Sequence, residues 1–255
     1  MVFSLTNLLW VVIPTLLAAT IHSVTGFGMG IVLMIFLPMV FSIGQSAALG
    51  ASLAILSTSL LFFQYRKAAN LKLLVVPLIF YFPAFFAALS LAVRVQSDFL
   101  KPVLGIIFLG LAVYFIFFSG TFTLQANIQT ALICTMLNAI VDAFFSIGGP
   151  FIVIYLLAAT KTKEEYLGTL QAYFMICAIY GVTMRILKHQ ITPSMLPLIA
   201  AGMIALIIGI FLGSKVVKHI DAQMMRKLVY GFIGVAGIIT FLSSLPTLFA
   251  ILSLY

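Results

Sequence analysis

The chain of 255 residues is 64% hydrophobic and only 7% charged, with a mean hydropathy of +1.29. Soluble domains carry about 25% charged residues, so this chain has too little polar surface to cover a soluble core and is expected to be an integral membrane protein. Its net charge of +8 is spread over short loops, a pattern that orients a protein in a bilayer rather than one that builds a nucleic-acid surface.

The opening stretch "MVFSLTNLLWVVIPTLLAAT" has no positive n-region, and its apolar character continues past it. It is expected to be a first membrane segment and not a cleaved signal. Apolar segments follow at 8–41, 46–64, 73–93, 102–118, 125–158, 167–187, 194–214 and 228–254. They do not alternate polar and apolar as barrel strands do, so they read as helices. Six match the length of one span. Segments 8–41 and 125–158 are too long for one helix and too short for two crossings. Each contains a break, "TGFGMG" (Thr25–Gly30) and "SIGGP" (Ser146–Pro150). Each is expected to be a broken or re-entrant helix.

A shift of 120 residues places Gly28 on Gly148, Pro77 on Pro197 and Gln45 on Glu165. With small gaps, Arg94 falls near Lys215 and Asp98 near Asp221. The sequence therefore predicts an all-α polytopic membrane protein with a single membrane domain, 1–255, made of two four-segment repeats, 1–120 and 121–255. If all eight segments cross fully, Lys and Arg divide five to eight between the two sides. If the broken segments return to the side they entered, the division is four to nine. The second scheme has the sharper positive-inside bias and makes the repeats inverted. Both schemes put the termini outside the cytoplasm.

Among the acids, Asp98, Glu164, Glu165 and Asp221 fall in expected loops, and Asp142 alone sits in an apolar segment. A carboxylate at bilayer depth costs a few kcal/mol even on lenient scales and usually faces a cavity or a partner. A structural reading, in which Asp142 caps a half-helix, stays open beside this one. His22 is the only histidine in an apolar segment, and the shift of 120 lands it on Asp142. A His22–Asp142 pair is a candidate proton-coupling site. The bland alternative is a neutral His22 bonded to a backbone carbonyl.

A broken helix leaves unpaired N–H groups at the start of its second half, and these groups with the helix dipole favour an anion. The second halves would begin near Gly28–Gly30 and Gly148–Phe151. Ser23, Thr25, Asn138 and Ser146 could add side-chain hydrogen bonds. Close packing through small residues is the competing explanation for the glycines. Gln171 is a further site candidate, because burying an amide is costly. Ser52, Ser57, Thr58 and Ser59 are expected to bond their own helix carbonyls, and "FYFPAFF" (Phe80–Phe86) is expected to serve packing or lipid contact. Arg185, near the end of its segment, is expected to snorkel to the interface. Cys134 and Cys177 read as small core residues.

The stretches "IHSVTGFGMGIVLMIFLPMVF" (Ile21–Phe41) and "NAIVDAFFSIGGPFIVIYLLA" (Asn138–Ala158) resemble the paired glycine motifs of the TauE/SafE family of sulfite and organosulfonate exporters. The resemblance covers essentially the whole chain. It implies a bacterial or archaeal-type inner-membrane permease for sulfur-containing anions. Residue by residue, it points to Gly26, Gly28, Gly148, Gly149 and Pro150. Met29 departs from the family pattern, where a small residue often stands between the glycines. The expectation is thus a secondary transporter for small anions, most concretely sulfite or organosulfonates, driven by a proton gradient or the membrane potential. No phosphate-loop motif GxxxxGK[ST] occurs, and no nucleophile–His–acid set or metal-ligand cluster points to an enzyme. No cofactor is expected. The expected partners are the anion and the lipid bilayer, with no nucleic acid and with a homodimer as one open arrangement. An anion channel, an uptake carrier for another sulfur compound, a membrane-embedded enzyme and a structural subunit are the competing readings.

Overall fold

The computed structural model describes residues 4–113 and 125–216, together with Ile238 and Leu242. Apart from Ile238 and Leu242, the expected segment 228–254 lies outside the described residues, as do the end of segment 102–118 and Asp221. Within them the chain is helical, with no strand. Helix α1 (Leu5–Thr25) and the short α2 (Met29–Phe36) come from the first long apolar segment. They are followed by α3 (Ile43–Tyr65), α4 (Val75–Ala92) and α5 (Ser97–Val113). The second long segment gives α6 (Ile128–Phe145) and α7 (Pro150–Ala159), and then come α8 (Lys163–Leu187) and α9 (Leu196–Val216). Six helical stretches among the described residues are long and apolar enough to cross a membrane.

Helix starts follow local chemistry. The Ser42 hydroxyl accepts the Gln45 N–H at 3.3 Å while the Gln45 side chain takes the Ser42 N–H at 3.2 Å, a reciprocal cap that opens α3. Asn127 and Thr162 cap α6 and α8 in the simpler way, each accepting the N–H three residues on. Helices α2 and α7, of 8 and 10 residues, rise about 12 and 15 Å, roughly half of a bilayer core of about 30 Å.

Three helix pairings dominate the packing. α1 packs along α9 and α6 along α4, while α3 packs on α8 between the two pairs. Exchanging α1, α3 and α4 for α6, α8 and α9 maps these three pairings onto themselves. Two apolar cores result. One gathers Tyr81, Phe85, Phe108, Phe145 and Tyr173. The other gathers Val11, Leu33, Leu49, Leu53 and Leu206. The outward faces are as oily as the cores: Ile79, Ile106, Ile204 and Phe211 are each more than half exposed. A face of that kind is stable against lipid and not against water.

The α1–α9 seam depends on small residues. Thr20 donates to the Gly209 carbonyl at 3.1 Å, and a Cβ on Gly209 would sit 2.6 Å from the Leu16 carbonyl oxygen. Such backbone proximity is how helices gain contact where lipid removes the hydrophobic drive. Gly209→Leu is expected to destabilise the fold by about 1–3 kcal/mol, read as a lower melting temperature of the detergent-solubilised protein. Gly110→Ala, where a Cβ meets nothing within 4 Å, is expected to leave that temperature unchanged or slightly raised.

Candidate functional site

Both long segments break where the sequence predicts. α1 stops at Gly26 (φ 77°), and α2 starts after Gly28 (φ 94°). α6 stops at Ser146 (φ 53°), and α7 starts after Gly149 (φ 140°), with Pro150 in its first turn. Positive φ suits glycine, and proline at the first helical position gives up an N–H that has no intrahelical partner anyway. The two stops are alike in detail. The Gly26 N–H donates to the His22 carbonyl, and the Ser146 N–H, 120 residues later, donates to the Asp142 carbonyl, each at 2.8 Å.

Inside a membrane the groups freed by a break need partners. At the first break the Thr25 hydroxyl lies 2.9 Å from the Ile21 carbonyl and 2.6 Å from that of Phe27. Gln171 of α8 donates to the Gly26 carbonyl at 2.7 Å. At the second break the Gly149 N–H donates to Asn138 Oδ1 at 2.8 Å. Arg185 of α8 donates from Nη2 to the carbonyls of Asp142 and Ala143, at 3.0 and 2.8 Å, at the negative end of the α6 dipole.

The breaks meet. A Cβ on Gly30, in the first turn of α2, would collide with the Ser146 carbonyl oxygen. Beside this contact lies a cavity of about 60 Å³, room for a small anion or a few waters. Of the residues singled out from the sequence, His22, Gly28, Asp142, Ser146 and Gly148 line it. The others support it or turn away. Asn138 and Gln171 bond the broken backbone, and Thr25 bridges its own break. Gly26, Gly149 and Pro150 shape the turns without lining the cavity. The Ser23 hydroxyl donates to the Thr20 carbonyl at 2.8 Å and lies against Gly213 of α9. The two half-helices are also unequal: α2 brings Met29 and Gly30 of its first turn to the cavity, while α7 contributes none of its own residues.

His22 and Asp142 line one cavity but are held by different elements. His22, 3% exposed, has its Nδ1 2.7 Å from Ser57 Oγ of α3, and its Nε2 has no partner. Asp142 accepts from the Tyr81 hydroxyl of α4 at 2.6 Å, and its carboxylate lies against Gly148. Ser52 and Thr58 bond their own helix carbonyls as expected. Ser57 instead serves His22, and Tyr81, expected only to pack, serves Asp142.

Arg185 differs most from expectation. It is 1% exposed and lines the cavity. It snorkels inward to the α6 break rather than outward to the interface. Its Nη1 donates to Gln190 Oε1 at 2.7 Å, its guanidinium lies 6.0 Å from the Phe85 ring centre, and its Nε has no partner. Among the described residues the one ion pair is Lys101 with Asp98, at 3.8 Å. Arg185 therefore has no carboxylate in contact. The sequence signal for it was present but ambiguous: an arginine two residues inside a helix end can reach either way.

Six helical stretches long and apolar enough to cross a membrane, among the described residues, define a polytopic membrane protein. A family model described as "Sulfite exporter TauE/SafE" matches residues 11–240, and the chain belongs to that family of membrane transporters. It is a multi-pass protein of the cell membrane. Comparison with curated proteins and with solved structures finds no match.

Gly30→Ala is expected to push the two breaks apart and to lower transport at least tenfold while the protein still inserts and purifies. Gln171→Leu leaves the Gly26 carbonyl unpaired and is expected to cost about 1–3 kcal/mol of stability, measured by thermal unfolding in detergent.

Proposed function

We propose that the chain is a secondary permease for small anions, with sulfite or organosulfonates as the substrate class, and that the cavity between the two breaks is its binding site. The observation that carries this reading is Arg185, a buried cation without a carboxylate in contact on the wall of a cavity that also receives the first turn of α2. Asp142 shares the cavity but is not within ion-pair distance of Arg185, and a buried charge without a contacting counterion is costly, so a bound anion would stabilise this arrangement. The N–H groups at the start of α2 add donors and a favourable dipole. The site is small, and Arg185 already spends donors on the α6 carbonyls and Gln190. Both features suit an ion that is held weakly and released. The driving force in this reading is an ion gradient or the membrane potential.

The test is flux into liposomes holding the purified protein, with sulfite, sulfate, thiosulfate, taurine and sulfoacetate offered in turn. Saturable uptake of sulfite or a sulfonate is expected. Unsaturable conductance far above carrier rates would instead make the protein a channel, and movement of none of the five would remove the substrate class. Arg185→Ala is expected to weaken anion binding about 10- to 100-fold, the scale of a lost charge-assisted hydrogen bond. Arg185→Lys, which keeps the charge but not the fork, should fall between.

The same reading takes residues 1–120 and 121–255 as inverted repeats of one membrane domain, with both broken helices returning to the side they enter. The mapped helix pairings support it, as does the sharper division of basic loops. A cysteine placed at the exposed Ser42 should then react with an impermeant thiol reagent from the non-cytoplasmic side, since both native cysteines are buried. Labelling from the cytoplasm alone would reverse the first half.

A further inference from the structure

The cavity holds two titratable groups in equivalent positions of the duplicated order, and their hydrogen bonds distinguish them. Among the described residues the Ser57 hydroxyl has no partner but His22 Nδ1. A hydroxyl can donate to a bare Nδ1 or accept from Nδ1–H, so this bond fits either neutral tautomer. A protonated ring would place two positive groups, the imidazolium and Arg185, on one small cavity, which favours a neutral imidazole. Asp142 is the opposite case. Tyr81 donates to Oδ2, and Oδ1 has no hydrogen bond among the described residues, so a proton can be added at Oδ1 without breaking any contact.

The groups facing Asp142 are Tyr81 from α4, Arg185, Cys177 and Tyr173 from α8, and His22 from α1. α2 has no titratable side chain, and those of α3 and α7, Tyr65 and Tyr155, do not line the cavity. An anion entering this cavity meets the Asp142 carboxylate as a like charge. Protonation removes the repulsion and leaves Arg185 to the anion. Proton and anion then bind together more tightly than either alone, a coupling of the usual 5- to 150-fold size.

We propose that Asp142, positioned by Tyr81, carries a proton bound and released together with the anion, and that His22 stays neutral and serves as a hydrogen-bond donor. The inference rests on the cavity being the anion site. The step is a proton transfer alone: Asp142 Oδ1 gains a proton from water on the side where the anion enters and returns it to water on the other side.

The test uses full-length protein in liposomes with sulfite, which itself takes up a proton near neutral pH. Variants are therefore compared in identical buffers, with protein-free liposomes subtracted. Under a gradient of one pH unit the native protein should accumulate sulfite up to about tenfold. Asp142→Asn should lose that accumulation even where its exchange of labelled for unlabelled sulfite is slowed but measurable, and His22→Gln, however much its exchange slows, should still reach it. Tyr81→Phe should keep accumulation but shift the pH profile of exchange, which a purely structural tyrosine would not do. Accumulation retained in Asp142→Asn would overturn the proposal, as would its loss in His22→Gln with exchange intact. If Asp142→Asn loses exchange as well, the Tyr81→Phe profile decides: a shift supports the assignment and an unshifted profile overturns it. If the native protein moves no anion at all, the permease reading fails, not merely the proton assignment.

Discussion

A main-chain polar group in a bilayer has no water to bond, and the whole arrangement follows from that constraint. Two helices that stop halfway expose carbonyls and N–H groups at depth. The protein answers with side chains drawn from across the fold. Gln171 takes the Gly26 carbonyl, Asn138 takes the Gly149 N–H, and Arg185 takes two carbonyls at the end of α6. Other buried polar side chains, such as Ser52 and Thr58, bond their own helix carbonyls instead. Among the described residues the buried side-chain atoms left without partners are Thr15 Oγ1, His22 Nε2, Ser46 Oγ, Thr135 Oγ1, Gln171 Oε1 and Arg185 Nε, and of these residues His22 and Arg185 line the cavity.

Much of the fold could be read from the sequence, because its signals are long and repeated. The apolar runs fixed the helices to within a few residues, and glycine clusters at matching points of a 120-residue shift located both breaks. Parts of the cavity lining could be read for the same reason: Asp142 is costly in an oily run, His22 stands 120 residues before it, and both line the cavity. Arg185, Tyr81 and Ser57 could not. Arg185 stands near a helix end, where the same side chain reaches water or the interior depending on what the next helix offers. Here α6 offers a row of unpaired carbonyls, and no local pattern around Arg185 encodes that. Tyr81 lies among aromatics that do pack on one another, with Phe85 stacked on it at 5.4 Å between ring centres. Its hydroxyl contact with Asp142 depends on tertiary placement alone. Ser57 differs from its neighbours only in the side of α3 it occupies.

The two breaks are built alike and used differently. Each ends its first helix with the same backbone hydrogen bond, yet only α2 turns its start toward the cavity, while the second break presents Asp142 and the carbonyls that hold Arg185. Positive and negative features thus come to the cavity from different halves of the chain. The N–H end of one helix faces a carboxylate and a guanidinium anchored on the other. In the proposed reading a small ion between them would touch both halves at once, so a change in how the halves sit would change how the ion is held.

The contact between Gly30 and the Ser146 carbonyl has a consequence for how such a protein can diverge. Where main chain meets main chain, the spacing of the halves is set without any side chain and survives substitution elsewhere. Two identical subunits brought together by that contact would carry the same residue at every equivalent place. Joined in one chain, the halves are free to differ, and here position 22 is histidine where 142 is aspartate, and position 57 is serine where 177 is cysteine. A single chain can thus place, at positions 120 residues apart, unlike donors and acids that two identical subunits could not.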